Sequence, residues 1–278
     1  MAPAVIDGGL VDGQSASISV FDDGLLRGDG VFEVMRLYEG KPFALDEHLE
    51  RMALSARNMR LEFSLSDIAH DVDLLLSQLG PVDVWMRLVV TRGGRRIALI
   101  EELTPSPATI ALAAVEYAPA PLMHAIKSLS YGPNMLAVRL ACEQGAGDAL
   151  FVTADGRVLE ASRASFFYVL DARLYTPPLD DVLDSITRRH LLAATDARER
   201  TTSCDDLTDI SEAFIASTTK EVLPVHAIDG RALPLAPGPS TRIANTALHR
   251  RIREALGLAP LAVEGSPAEG SSSAATRY

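Results

Sequence analysis

The chain has 278 residues, of which 47% are apolar, enough to fill one large core or two of ordinary size. Its 26 Lys and Arg stand against 37 Asp and Glu, and the net charge of −11 argues against binding to nucleic acid or to an anionic membrane surface. No apolar run approaches the ~20 residues that span a bilayer, and no basic segment precedes an apolar one at the N-terminus, so we expect a cytoplasmic protein.

The first half of the sequence predicts β structure interrupted by two helices. Asp46 is placed to cap the first helix, and either Ser66 or Asp67 to start the second. The alternation of apolar residues predicts strands within residues 17–45, including a hairpin of 31–38 and 43–45 around a turn at 39–42, and further strands at 83–91 and 108–117.

Residues 117–121 carry two prolines separated by an alanine, a pattern that resists both helix and sheet. We therefore take this segment as an interdomain linker. It divides the chain into an N-terminal α/β domain at 1–116 and a C-terminal domain at 122–263. The tail at 264–278 is rich in Gly, Ser and Ala, and we expect it to be disordered.

The second half predicts more strands than helices, and the two do not strictly alternate, which indicates an α+β fold. The expected strands are 125–129, 148–153, 157–160, 165–170, 173–176, 213–217 and 222–228. The expected helices are 134–145, one that starts near Asp184, and 240–256, which Gly257 should end.

Lys127 and Glu160 are the main candidates for chemistry. Lys127 lies in an apolar segment, where burial would disfavour the ammonium form and make the free amine available to form a Schiff base. Glu160 ends a short strand before two small residues, so its carboxylate could approach a planar ligand. Together they suit a pyridoxal-phosphate enzyme, with one residue bonded to the cofactor and the other on its ring nitrogen. Taken alone, each is better explained as a solvated residue at a strand edge.

Two segments carry the donors that a phosphate requires. A helix start at 184–189 offers free amides and Thr187, and residues 216–220 place three hydroxyls after a buried strand. Ordinary helix capping is the alternative for both segments.

Three arginines also stand out. Arg36 and Arg87 interrupt apolar strands, and Arg92 ends one before two glycines. A buried arginine requires an anion, which is either a bound substrate or a neighbouring carboxylate.

Other motifs for catalysis or metal binding are missing from the sequence. The glycine-rich residues 24–30 lack the GK[ST] ending of a P-loop, there is no GxSxG, and the histidines lack HExxH spacing. Cys142 and Cys204 form no CxxC pair, so neither a disulfide framework nor a cysteine-rich zinc site is expected. We expect no metal centre.

Eight segments, taken in order, resemble the fold-type IV pyridoxal-phosphate enzymes, or class IV aminotransferases. This family includes branched-chain and D-amino-acid aminotransferases, (R)-selective amine transaminases and aminodeoxychorismate lyase. The resemblance runs from about residue 22 to residue 256, and its order makes it specific. The matching segments are 27–33, 48–52, 126–129, 145–150, 155–160, 176–179, 186–188 and 217–224.

The resemblance implies a role for each candidate. Lys127 would form the Schiff base with pyridoxal 5'-phosphate and then move the proton between the substrate carbon and the cofactor, and Glu160 would hold the pyridine nitrogen. Tyr131 resembles a tyrosine near the cofactor's phenolic oxygen. The residues implied at the phosphate are Arg51, the amides of Ile186 and Thr187, and Thr218, with Ser217 beside them.

For the substrate, Arg92 resembles an arginine that binds the carboxylate in D-amino-acid members. Arg36 and Arg87 fall where branched-chain members place arginines near the pocket. Ala161 and Ser165 depart from the family pattern, which usually has Gly and Asn there, so analogy does not assign the substrate.

The family's fold has a small N-terminal α/β domain and a larger C-terminal domain with a barrel-like sheet, with the cofactor between them. Its members are typically homodimers whose partner subunit contributes to the pocket. The implied activity is transfer of an amino group between an amino acid, or a related amine, and a 2-oxo acid. One alternative is an aminodeoxychorismate lyase producing 4-aminobenzoate and pyruvate. Another is a non-catalytic protein that binds the cofactor or phosphate.

Overall fold

The computed structural model describes residues 3–260, whose strands form two sheets. The predicted tail at 264–278 and the end of the predicted C-terminal domain at 261–263 lie outside the described residues. Within the described part, no helix is both long enough and apolar enough to cross a bilayer.

The first sheet has six antiparallel strands. These are β1 (Pro3–Ile6), β2 (Gly9–Asp12), β3 (Gly30–Tyr38), β4 (Lys41–Pro42), β5 (Val84–Thr91) and β6 (Arg96–Glu101), in the spatial order β2-β1-β6-β5-β3-β4. Three helices accompany it: α1 (Asp23–Arg27), α2 (Leu45–Asn58) and α3 (Leu65–Leu76). Met52 and Ala56 on α2 and Val72 and Leu75 on α3 follow helical spacing and are buried in the core of this sheet.

The second sheet has ten strands and curls back on itself. They are β7 (Ile110–Glu116), β8 (Asp148–Val152), β9 (Arg157–Ala161), β10 (Ser165–Leu170), β11 (Arg173–Thr176), β12 (Arg198–Glu199), β13 (Thr202–Ser203), β14 (Glu212–Ser217), β15 (Glu221–Ile228) and β16 (Arg231–Ala232). Strand β7 runs parallel to both β15 and β8. An isolated bridge between Ala161 and Ala164 brings the end of β9 beside the start of β10. The mixed helix-and-sheet architecture confirms the predicted α+β class.

Helices cover the outside of the second sheet. They are α4 (Gly132–Glu143), α5 (Ile186–Ala194) and α6 (Pro239–Leu256). Gly257 ends α6 in the left-handed conformation, with φ 61°, as its position in the sequence predicts. Buried Phe167 and Phe214 stack with ring centroids 4.9 Å apart, and they belong to the core that α6 covers.

Two predicted strands are wrong. The second strand of the first hairpin is Lys41–Pro42, not 43–45, because Ala44 takes a left-handed φ of 56° and α2 begins at Leu45. Residues 125–129 do not form a strand either. Ala125 has a φ of 56°, and only Ser128 pairs, through one isolated bridge to Val31.

Several elements were not predicted. The short helix α1 lies inside the region expected to be strand; Asp22 caps its start by accepting the Gly24 amide at 2.8 Å. The edge strand β2 and the inner strands β1 and β6 were also missed.

Strand β7 precedes the predicted linker at 117–121 but pairs only with strands of the second sheet. Residues 102–109, between β6 and β7, lie outside both sheets. We therefore propose a domain boundary at 102–109 in place of the predicted one.

The segment that carries Lys127 is attached to the first sheet by its backbone. The amide of Phe32 donates to the Lys127 carbonyl at 3.1 Å, and the amide of Leu129 donates to the Gly30 carbonyl at 2.9 Å. Gly30 is needed for this approach. A Cβ at residue 30 would lie 2.5 Å from the Val90 carbonyl oxygen and 2.6 Å from a Leu129 methyl group.

Gly30→Ala should therefore destabilise the protein, because its Cβ overlaps backbone that cannot move independently. We expect a loss of about 1–3 kcal/mol in the free energy of unfolding, measured by urea denaturation. Gly80→Ala is the matched control, since a Cβ there meets nothing within 4 Å. Equal stability of the two variants would contradict the close packing at Gly30.

Candidate functional site

A cavity of about 1070 Å³ opens between the two sheets and collects most of the predicted site residues. Its lining includes Lys127, Glu160, Tyr131, Arg51, Arg87, Ser217 and Thr218. The sequence separates these residues by up to 167 positions, and the fold brings them to one space.

Lys127 points its amine at the face of Phe32, with Nζ 4.3 Å from the ring centroid. Burial, followed by the charge of Arg51, lowers the pKa of this amine to about 8, although Glu33 and Glu160 act in the opposite direction. The Lys127 amide donates to Ser55 Oγ at 3.1 Å, which fixes the backbone against α2. The structure therefore holds an amine whose free-base form is accessible near neutral pH.

Glu160, in β9, is the acid of the same cavity. Burial raises the pKa of its carboxyl group to about 7, even though the Leu183 amide donates to Oε1 at 3.1 Å and the charge of Lys127 acts the other way. A carboxyl group in this state is poised to take a negative charge when a cation arrives beside it.

Tyr131 lines the same cavity and directly precedes α4. Its ring meets Phe32 edge-on, with centroids 5.4 Å apart and an interplanar angle of 87°. Burial, and then the charge of Glu160, raise the pKa of its hydroxyl to about 12. The hydroxyl therefore remains protonated and can donate a hydrogen bond into the cavity.

Arg51 is held by two residues that the sequence did not single out. Its Nε and Nη2 donate to the two oxygens of Glu33, each at 2.7 Å, and His48 Nδ1 lies 2.8 Å from the same carboxylate. Glu33 is fully buried; burial alone would raise the pKa of its carboxyl group, but Arg51 and His48 outweigh it and lower the pKa to about 2.

The remaining guanidinium nitrogen of Arg51 contacts the C-terminal half of the chain. Nη1 donates to the Asp184 carbonyl at 3.0 Å, just before α5. Ser185 caps α5 by accepting the Arg188 amide. Among the hydrogen bonds of residues 3–260, none uses the amides of Ile186 and Thr187, so the start of α5 has free donors next to Arg51.

The three predicted substrate arginines have different surroundings. Arg87 lines the cavity, pairs with both oxygens of Glu101 at 2.9–3.0 Å, and lies over the Phe32 ring at 5.5 Å. Arg36 instead pairs with Glu221 at 2.8 Å, away from the cavity lining. Arg92 pairs with Asp29 at 3.0 Å and also lies outside the cavity of its own subunit.

Arg36 and Arg92 therefore each pair with a carboxylate of the same chain. The sequence analysis gave such a pair as the alternative to a bound substrate. Each guanidinium lies within 3.0 Å of a carboxylate on a neighbouring part of the chain and outside the cavity lining. A role for either residue in binding the substrate remains a prediction.

Sequence reasoning missed Glu33 and His48. It also missed buried Asp148 and the two cations near it, Arg163 and Lys220, which line the cavity. Glu33 carried the same signal that identified Arg36, a charged residue within the apolar strand 31–38. Asp148 gave no such signal, because it opens its strand and its partners are distant in sequence.

Comparison with known proteins gives consistent matches. The family described as Amino-transferase class IV matches residues 30–228. A putative branched-chain-amino-acid aminotransferase of Methanocaldococcus jannaschii is 32% identical, covering 82% of this chain and 88% of that protein. The D-alanine aminotransferase of Bacillus licheniformis is also 32% identical, covering 89% of this chain and 96% of that protein.

A solved structure agrees with these sequence matches. A hypothetical aminotransferase from Mycobacterium tuberculosis, in its PLP-bound form, superposes with a TM-score of 0.81 at 26% identity, covering 92% of this chain and 100% of that one. The family match spans more than half of the chain, and the fold and the cavity agree with it. This chain belongs to the class IV aminotransferase family.

Proposed function

We propose that the cavity between the two sheets is where this protein transfers an amino group between an amino acid, or a related amine, and a 2-oxo acid. Family membership makes the protein a pyridoxal 5'-phosphate-dependent aminotransferase. The observation that carries the assignment of the site is the pairing of a buried amine, Lys127, with a buried acid, Glu160, in one cavity.

The side chains present fit this cofactor. An amine of lowered pKa suits its aldehyde, a buried acid suits its ring nitrogen, and the free amides at the start of α5 suit its phosphate. When bound, pyridoxal 5'-phosphate supplies an aldehyde that bonds to amines and a protonated ring that withdraws electrons from the substrate carbon.

Lys127 is the residue that we propose to bond to the cofactor and then to move the proton. Only three lysines occur in the chain, Lys41, Lys127 and Lys220. Lys41 lies on the surface, where Nζ donates to the Leu256 carbonyl at 2.9 Å. Lys220 lines the cavity but is drawn towards Asp148, 3.7 Å away. Lys127 alone lies over Phe32 within the electrostatic reach of Glu160.

Glu160 is proposed to hold the proton on the ring nitrogen. With a pKa of about 7, its carboxyl group is held near neutrality by burial, and a cation beside it would stabilise its charged form. Tyr131, protonated and close to both residues, is proposed to donate to the cofactor's phenolic oxygen.

The phosphate is proposed to bind where Arg51 meets the start of α5. Glu33 neutralises much of the charge of Arg51, so the amides of Ile186 and Thr187 and the hydroxyl of Thr218 must supply most of the hydrogen bonds. Ser217, which also lines the cavity, lies beside Thr218. Glu33 and His48 position Arg51 in this arrangement.

We also propose that the protein is a homodimer, formed through an apolar surface around α1 and α4. Phe21, just before α1, is 83% exposed and Leu25 on α1 is 60% exposed. On α4, Leu136 is 53% exposed. Ser130 donates to the Gly28 carbonyl at 3.1 Å, so the end of α1 lies beside the start of α4. Large apolar side chains left on a surface in this way are typical of an interface.

The function is tested by mixing the holoenzyme with single L- and D-amino acids and chiral amines, without an acceptor. We expect the aldehyde absorption of the cofactor to convert to that of its amine form with at least one donor. An equal amount of 2-oxo acid should appear from an amino acid, or of ketone from a chiral amine. A lyase would convert little of the cofactor, and a binding protein none.

Lys127→Ala should lower the rate of this half-reaction by more than about 10², because it removes the group that transfers the proton. Borohydride reduction of the wild-type holoenzyme should fix the cofactor on Lys127, located by peptide mapping. Lys41→Ala is the control and should retain the wild-type rate. Label on Lys220, or a near-normal rate in Lys127→Ala, would refute the assignment.

Glu160→Gln should change how stability depends on pH in the cofactor-free protein. The pKa of Glu160 is about 7 in the folded state against 4.5 for the ordinary group, so its ionisation destabilises the fold as pH rises from about 4.5 to 7. The comparison is made in a Lys127→Ala background, to remove the titrating partner. We expect Glu160→Gln to lose less stability between pH 5 and pH 8 in urea denaturation.

The exposed Glu143→Gln on α4, in the same background, serves as control and should keep the original pH dependence. If Glu160→Gln kept it too, Glu160 would not be buried as the structure places it.

Phe21→Asp combined with Leu25→Asp should convert the dimer into monomers, because two charges would be buried without partners at the interface. Light scattering coupled to size exclusion measures this. Ile243→Asp is the matched control, since Ile243 is 63% exposed on α6, outside the proposed interface. A wild-type monomer, or a double variant that remains dimeric, would count against this interface.

A further inference from the structure

Helices α2 and α5 are joined by hydrogen bonds at two separate points. Arg51 on α2 donates to the Asp184 carbonyl, just before α5, at 3.0 Å. Glu47 precedes Arg51 by four residues, so the two side chains lie on the same side of α2. The Glu47 carboxylate pairs with Nε2 of His190, in the middle of α5, at 2.8 Å. The first contact belongs to the cavity, and the second lies one turn of α2 away from it.

Arg189 lies between these two contacts. Its Nε donates to the Asp184 carboxylate at 3.2 Å, and its Nη1 lies 3.6 Å from the Glu47 carboxylate. The side chain of Arg189 is 40% exposed, whereas His190 is 8% exposed. An ion pair open to solvent contributes little, so His190 makes the stronger of the two contacts between α5 and Glu47.

His190 is held in one orientation by its neighbours. Nε of Arg251 on α6 donates to Nδ1 of His190 at 2.5 Å, so the ring proton lies on Nε2 and is donated to Glu47. The ring also packs against Phe43, with centroids 4.8 Å apart. Burial lowers the pKa of His190; the charge of Glu47 opposes this effect and that of Arg251 adds to it. Neutral His190 is therefore a fixed hydrogen-bond donor to α2.

The proposed phosphate site depends on where the start of α5 lies relative to Arg51. Glu33 neutralises much of the charge of Arg51, so the amides of Ile186 and Thr187 must supply much of the binding. A hydrogen bond weakens steeply as its angle departs from linearity. Thr187 is three residues, or about 4.5 Å along the helix, from His190. A tilt of α5 at His190 would therefore turn these amides away from the phosphate.

We propose that His190 is a positioning residue for the cofactor phosphate and that it acts through Glu47. The contact at Asp184 alone would leave α5 free to pivot about one point, whereas the contact at His190 also fixes the direction of the helix. The proposal rests on the phosphate site and the aminotransferase function above, and it adds the residues that keep the two parts of that site together. His190 and Glu47 lie outside the cavity lining, so they act without touching the cofactor.

Pyridoxal provides a selective test, because it has the aldehyde and ring of the cofactor but no phosphate. Absorbance titration of the cofactor-free protein gives Kd for pyridoxal and for pyridoxal 5'-phosphate, and we call the ratio of the first to the second the phosphate preference. His190→Ala should weaken binding of pyridoxal 5'-phosphate about tenfold and that of pyridoxal much less, since it misplaces only the phosphate donors. Kd for inorganic phosphate, measured by calorimetry, should rise similarly.

Glu47→Ala should lower the phosphate preference as His190→Ala does. The double variant should lower it no further, because both substitutions remove the same contact. Glu47 is partly exposed, so its variant provides the test even if His190→Ala does not fold. His190→Gln should keep most of the preference, since its amide can donate to Glu47 in place of Nε2.

Two exposed residues are matched controls. Glu50→Ala removes the same charge from α2 as Glu47→Ala, and His70→Ala removes a histidine from α3. Both variants should keep the wild-type phosphate preference. Equal weakening of pyridoxal and pyridoxal 5'-phosphate in His190→Ala would show a general structural role and overturn the proposal.

Thr218→Val distinguishes failure of this proposal from failure of the phosphate site. If Thr218→Val lowers the phosphate preference and neither His190→Ala nor Glu47→Ala does, the positioning role is refuted and the site stands. No change in any of these variants would refute both. If His190→Ala loses the preference but the wild-type enzyme converts no donor, the proposed function fails and the positioning role stands.

Discussion

The backbone pairing between residues 127–129 and the start of β3 is the contact on which the site depends. It joins a segment of the second half of the chain to the first sheet through the hydrogen bonds of Phe32 and Leu129. Ser55 on α2 holds the same segment from the other side. Both contacts use backbone atoms of the lysine segment. The position of the reactive amine therefore depends on how the two sheets are placed relative to each other.

The charges around the cavity divide into neutralised and uncompensated groups. Glu33 offsets Arg51, and Glu101 offsets Arg87, so these arginines contribute shape and hydrogen bonds more than net charge. Arg163 and Lys220 share a single carboxylate. Burial brings Lys127 and Glu160 towards neutrality from opposite directions. The net effect is a cavity whose uncompensated side chains are positive, which favours anionic substrates, and a reactive amine that loses its proton more readily than an ordinary lysine.

Much of this arrangement could be predicted from the sequence, and the failures have physical causes. Most strands of the second sheet follow alternation along the chain, which is a local property. Ala44 and Ala125 take left-handed conformations that their sequence does not favour, and only packing of the surrounding elements explains them. What the sequence could not predict was mainly which charged residues pair with each other. Glu33 lies 18 residues from Arg51, and Asp148 lies 72 residues from Lys220, so no local pattern connects them.

The scarcity of lysine has a practical consequence for chemical labelling. Of the three lysines, two face the cavity and only Lys41 lies on the outer surface of the described chain. Burial lowers the pKa of both cavity amines, so they are the more nucleophilic members of the set at mildly alkaline pH. Reagents that attach dyes, beads or cross-links through amines will therefore modify the interior of the cavity along with the surface. Tethering through carboxylates, which are abundant in this acidic protein, leaves the reactive amine untouched.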